Sequence, residues 1–254
     1  MYPSRRSLSL FAATLLAAGT VPAAGPEPEG AAVEAAVPAV VVEEAAGTAW
    51  SVTALWDSKY MFQGRDVLAG DGGLASIDAS AVWSNCTAGI WAAQADSNEY
   101  AEVDLYAQYA RDVGPVNASF TWSRFEYTDS GDSDNELALG VSSDIGDALS
   151  VGLEYAWSTE LEGGFAELTV STEFAVDDEK ITLSPYLMQA FDFGYATPGH
   201  DGPNHLQAGI DGSYALGEHY SVVLSLAHAF AQEDVERSGQ DDESWVSVGL
   251  SASY

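Results

Sequence analysis

Glu102-Val103-Asp104-Leu105-Tyr106-Ala107-Gln108-Tyr109 changes polarity at every residue. Successive side chains of an extended backbone leave opposite faces, so Val103, Leu105, Ala107 and Tyr109 share one face and Glu102, Asp104, Tyr106 and Gln108 the other. A helix would scatter the same residues around its circumference. The stretch is therefore a strand with one oily and one polar face. The beat recurs where Trp50, Val52, Ala54 and Trp56 alternate with Ser51, Thr53, Leu55 and Asp57. It recurs again where Leu149, Val151, Leu153, Tyr155 and Trp157 alternate with Ser150, Gly152, Glu154, Ala156 and Ser158.

Outward from these three, strands are expected to begin near Trp50, Ala75, Thr87, Ala101, Val116, Asn135, Leu149, Phe165, Lys180, His205, Tyr220 and Ser244. The connections alternate in length. Longer acidic, Gly-rich ones at 66–74, 96–100, 129–134, 160–164, 196–204 and 233–242 take turns with tighter ones at 84–86, 112–115, 144–148, 176–179 and 217–219. Long outer loops and short periplasmic turns, joined by an even number of strands, are the mark of a bacterial membrane barrel. The fold expected is all-β: an antiparallel up-and-down transmembrane β-barrel of about 12 strands, spanning 48–254.

The ends of the chain bear on where such a barrel sits. Arg5 and Arg6 precede an apolar stretch at 8–18 that is too short to cross a bilayer, and small residues follow at Val21-Pro22-Ala23-Ala24. That pattern predicts an export leader over 1–24 and therefore a place in the outer membrane. The Ala/Pro/Glu-rich stretch 25–47 predicts a low-complexity periplasmic tail. Beyond the leader no run of about 20 apolar residues exists, so no spanning helix is expected. The last strand places Val246, Val248, Leu250 and the terminal Tyr254 on one face. Val248, Leu250 and Tyr254 are the candidate signal for the barrel-assembly machinery, and pairing of this strand removes an edge that hydrocarbon would penalise. Aromatic residues near strand ends (Trp56, Tyr60, Trp83, Tyr109, Trp122, Tyr155, Trp157, Tyr214 and Tyr220) are candidates for two interfacial girdles.

Three segments carry a further likeness: Ser58-Lys59-Tyr60-Met61-Phe62-Gln63-Gly64-Arg65, Ala88-Gly89-Ile90-Trp91-Ala92-Ala93 and the 102–109 strand itself. Over about 51–140 the chain resembles the TorF-type porins of Gram-negative bacteria. Those proteins usually carry an aromatic-Arg-Gly step where this sequence has Phe62-Gln63-Gly64, with Arg65 one place beyond the glycine. The resemblance implies an outer-membrane, porin-like protein and supplies no substrate.

Charge narrows the function classes. The chain holds 39 acidic and 8 basic side chains; without Arg5 and Arg6 the balance is 39 against 6, or −33. Such a field repels nucleic acid and anions and attracts cations, and it also fits a saline habitat. The candidate lumen lining is Asp57, Lys59, Arg65, Asp78, Glu102, Asp104, Glu154, Glu173 and Asp211, with Thr53, Gln63, Glu136, Glu167, Asp192 and His205 on the same faces. An open lumen lined this way would pass small solutes passively and prefer cations. A closed lumen would leave a structural or adhesive barrel, its acidic loops bridging cations to lipopolysaccharide. A hydrolase is the third class, with His228 as base and Ser225 or Ser244 as nucleophile. No Gly-x-Ser-x-Gly or His-Glu-x-x-His run supports it, and alternation turns His228 toward lipid. Cys86 stands alone, so neither a disulfide nor a metal centre is expected, and no cofactor is implied.

Overall fold

The computed structural model describes residues 48–254 apart from 71, 98, 99, 147 and 177–179. The expected leader and tail, 1–24 and 25–47, lie outside the described residues.

Alternation becomes strand throughout. In chain order the strands are β1 (Ala49–Asp57), β2 (Met61–Phe62), β3 (Arg65–Asp66), β4 (Leu74–Trp83), β5 (Cys86–Ala95), β6 (Ala101–Val113), β7 (Val116–Tyr127) and β8 (Asp132–Ile145). They continue as β9 (Leu149–Ser158), β10 (Gly163–Ser171), β11 (Phe174–Val176), β12 (Ile181–Phe193), β13 (Asp201–Ala215), β14 (Tyr220–Ala231) and β15 (Glu243–Ser253), with one short helix, α1 (Glu233–Arg237), before β15. Starts differ from the sequence reading by no more than four residues, as at Asp201 against His205.

Each long strand pairs antiparallel with its chain neighbour, and β1 pairs with β15 on its other side. The wall is thus a closed barrel of 12 strands, β11 continuing β10 beside β12 after a break at 172–173. Closure pairs each long strand on both sides, while β11 pairs with β12 alone. The seam runs from Ser51 opposite Ser253 to Asp57 opposite Ser247.

The register sorts the faces. Trp56, Ile77, Leu105, Trp122, Leu139, Leu153, Leu187, Leu226 and Leu250 point outward and stay open to the surroundings. Trp50, Trp83, Tyr214, Tyr220 and Tyr254 ring the end that holds both strand termini; Trp56, Trp157, Phe193 and Phe230 ring the other. The exterior is apolar and the interior polar, the reverse of a soluble barrel. Tyr60 belongs to neither ring. It lies inside the barrel, 3% exposed, because the chain turns inward after Asp57 and does not run on up the wall.

Candidate functional site: an acidic lumen under a cork

Three connections at the loop end, 58–70, 194–200 and 232–242, fold into the mouth. The first carries the small β2–β3 hairpin, whose turn is Gln63 (φ +47°) and Gly64 (φ +75°). A two-residue hairpin turn of type I′ needs positive φ at both central positions. Gly64 is required twice over, since a Cβ there would stand 2.7 Å from Cγ and Nδ1 of His205. Tyr60, Phe62, Leu68 and Leu74 from this side pack with Ala93, Ala95, Ala138, Ala156, Phe165, Ala190, Tyr195 and Ala196 into one buried cluster. This apolar core closes the loop end of the lumen.

Side-chain-to-backbone bonds shape the cork locally. Asp192, at the top of β12, accepts the amides of Tyr195 (2.8 Å), Ala196 (2.9 Å) and Thr197 (2.8 Å). Asp66 accepts those of Leu68 (3.1 Å) and Gly70 (2.8 Å), while its own amide donates to Gln240 Oε1 at 2.8 Å. Short carboxylates that satisfy nearby amides fix a turn where no ladder exists.

Arg65 ties the three connections together. Its guanidinium, 2% exposed, donates to Asp234 Oδ2 at 2.7 Å, Thr197 Oγ1 at 2.9 Å, Ser238 Oγ at 3.3 Å and the Gln63 carbonyl at 3.2 Å. Asn204 Nδ2 donates to the same Asp234 oxygen at 2.6 Å. A register shift opposite Ala190 and Phe191 leaves Asn204 outside the ladder, and such a bulge re-aims a side chain. Burial alone would raise the Asp234 pKa, but bonds from Thr197, Arg65 and Asn204 and the charge of Arg65 hold it below the usual carboxylate value. Removing one partner of a buried pair such as Arg65–Asp234 typically costs about 3–5 kcal/mol, because the other charge is left stranded. Arg237 lies against His200 Nδ1 at 2.7 Å on the solvent side of this knot.

Beneath the cork the wall is acidic. Glu102 and Asp104 of β6 and Glu136 of β8 are buried. Tyr60 donates to Glu102 Oε2 and Tyr195 to Glu136 Oε2, each at 2.8 Å, so cork tyrosines dock on wall carboxylates. Tyr100 also bonds Glu102. The other inward carboxylates, Asp57, Asp78, Glu154, Glu167, Glu173 and Asp211, are only half-buried. Asp78 accepts from Tyr106 at 2.9 and 3.1 Å. At the loop end of β1, Asp57 accepts from Ser247, whose neighbour across the sheet, Ser225, stands opposite Asp211. Glu154 and Glu167 face each other directly across β9 and β10, and like charges so placed repel. Glu173 sits in the break between β10 and β11, 3.5 Å from Ser184 Oγ.

The candidate residues therefore divide. Asp57, Asp78, Glu102, Asp104, Glu154, Glu173 and Asp211 lie on the inner wall. Lys59 is bound to Glu243 at the top of the seam, and Arg65 sits within the cork. Among the described residues, no lysine or arginine reaches the inner wall below the cork. Tyr60, Tyr195, Thr197, Asn204 and Asp234 are site residues that pattern reading missed. Asp192 followed by Tyr195-Ala196-Thr197 was the one available cue, as an acid able to collect three amides.

Val248 and Leu250 point outward on β15, and Tyr254 stacks between Trp50 and His219, with ring centroids 4.5 Å from each. His228 also points outward, its Nδ1 2.6 Å from Ser244 Oγ, and its ring meets Phe230 edge-on. Among the described residues no carboxylate or amide orients the other ring nitrogen, which a nucleophilic dyad would need.

No family model and no curated protein matches the sequence. Solved structures do resemble the fold. The KdgM porin matches with a TM-score of 0.57 at 12% identity, over 80% of this chain and 99% of that one. The NanC porin matches at 0.55 and 11%, over 80% and 98%. An outer-membrane channel from Pseudomonas putida F1 matches at 0.53 and 10%, over 84% and 97%. At these identities the likeness is one of architecture: the fold is that of porin-type barrels.

Proposed function

We propose that this chain is a TorF-type, porin-like channel of the outer membrane, exported by its leader and passing small solutes with a preference for cations. The observation that carries the reading is the pairing of an apolar, aromatic-ringed exterior with an inner wall whose strand-borne charges are all carboxylates. Such an exterior suits hydrocarbon, with lipopolysaccharide and lipid as its surroundings and the β15 face as the surface offered to the assembly machinery. The acidic wall raises the local concentration of cations; one charge attracts another by about 1 kcal/mol at 4 Å in water. KdgM has been solved in complex with disordered oligogalacturonate. That ligand is a polyanion, and a wall of carboxylates argues against such a cargo here.

Purified protein in planar bilayers under a salt gradient tests the reading. A reversal potential on the cation side is expected, stronger at low salt because ~0.1 M salt screens over about 10 Å. An anion-side potential would overturn the preference, and a protein without conductance would overturn the channel. The cork favours one rival, a closed structural barrel whose acidic outer loops bridge cations.

A further inference from the structure

We propose that the cork is a gate and that Arg65–Asp234 is its latch, so that 58–70, 194–200 and 232–242 open together. This rests on the channel reading above. The wall closes without the cork: β1 pairs β15 from Ser51 to Asp57 and β10 pairs β12 from Phe165 to Ser171. Withdrawal of the three connections therefore leaves the barrel's edges paired. Phe62 meets Tyr195 edge-on between the first and second connections, and the polar bonds among the three are concentrated at one side chain. Arg65 of the first holds Thr197 of the second and Asp234 and Ser238 of the third, and Gln240 of the third receives the Asp66 amide of the first. What joins them to the wall is a set of separate polar bonds, among them Tyr60–Glu102, Tyr195–Glu136, Asn204–Asp234, Gln189–Gln232 and Lys59–Glu243, together with the apolar cluster.

The closed arrangement also leaves polar groups unpaid. Gln63 Oε1 and Nε2 are buried with no hydrogen-bond partner among the described residues, and His200 Nε2 and Asp234 Oδ1 face each other at 3.9 Å, beyond hydrogen-bond reach. A buried donor or acceptor without a partner forfeits its hydration, and opening returns it. Arg65 and Asp234 likewise regain water on separating, which offsets much of their lost attraction. Apolar packing holds the cork shut and hydration favours release, the balance that a two-state element needs.

The test compares the intact wild-type protein with Arg65→Met, Asp234→Asn and Tyr195→Phe in planar bilayers, after heat-modifiable migration has shown that each has a closed barrel. With the latch cut, the open fraction should rise about tenfold or more, the factor that corresponds to 1.4 kcal/mol, and ion preference should be retained. Equal open fractions in wild type and variants would overturn the gate while leaving the channel standing. Silence in all of them would overturn both. Amide exchange in the wild type supplies a measurement independent of any variant. Amides of the cork, among them Val67, Ala69 and Tyr195, should exchange together and at least about tenfold faster than those of β6 and β14. Exchange of cork and strands at one common rate would make the cork a fixed plug.

Discussion

Replacing Gly64 with alanine separates backbone strain from crowding at the hairpin turn of the cork. Residue 64 has φ +75°, which costs an L-residue roughly 1–2 kcal/mol. The new methyl would also stand 2.7 Å from the His205 ring. That ring is 1% exposed, and its Nδ1 lies 2.5 Å from Asn204 Oδ1, so it has little room to retreat. Forcing a methyl into filled space costs about 1–3 kcal/mol, and the two terms together reach about 2–5 kcal/mol. Gly131 supplies the control: its φ is +76°, but nothing lies within 4 Å of the site a Cβ would take. Gly131→Ala should therefore show the strain alone.

The assay is amide exchange of Val67 and Ala69 in the folded barrel, because the damage is local and the wall ladders are untouched. Gly64→Ala should speed their exchange by about 30-fold or more. Adding His205→Ala should recover the crowding part of the loss, a coupling that a double-mutant cycle reads directly. If Gly64→Ala leaves these amides as protected as in wild type, the hairpin is not seated against His205. The account of the cork would then fail.

The seam gives a graded prediction. Tyr254→Phe keeps both ring stacks and should insert normally, Tyr254→Ala should slow insertion, and deletion of Tyr254, which also removes the backbone pair with Trp50, should block it. Leu250→Asp puts a charge on the lipid face and should block insertion as well, whereas Ser251→Asp points inward and should be tolerated; heat-modifiable migration reads all of these. Acid should loosen the cork through Asp234. Its folded-state pKa lies below the unfolded one, so its contribution is complete above the unfolded value and is lost as pH falls through the folded one, below about pH 4. The wild-type fall in cork-amide protection should exceed that of Asp234→Asn. Changing Asp57, Asp78 and Asp211 together to asparagine should move the reversal potential toward anions, most clearly at low salt.

Period-two alternation and the alternating loop lengths, read with the export leader and the closing aromatic-ended strand, pointed to the membrane barrel from sequence. Strand number, register parity and the outward face of β15 all follow from side chains that each contact only one face of a sheet. The wall carboxylates were legible for the same reason, since the parity that turns Leu105 outward turns Asp104 inward. The sequence could not show that Tyr60 and Phe62 leave the wall. Their alternation with Met61 and Gln63 fits a continuing strand, and an aromatic ring suits a lipid boundary and a buried plug equally well. Nor could it pair Arg65 with Asp234, which lie far apart in the chain on connections that follow no period. Only the closed barrel brings their loops to one mouth, where excluded water makes each charge depend on the other.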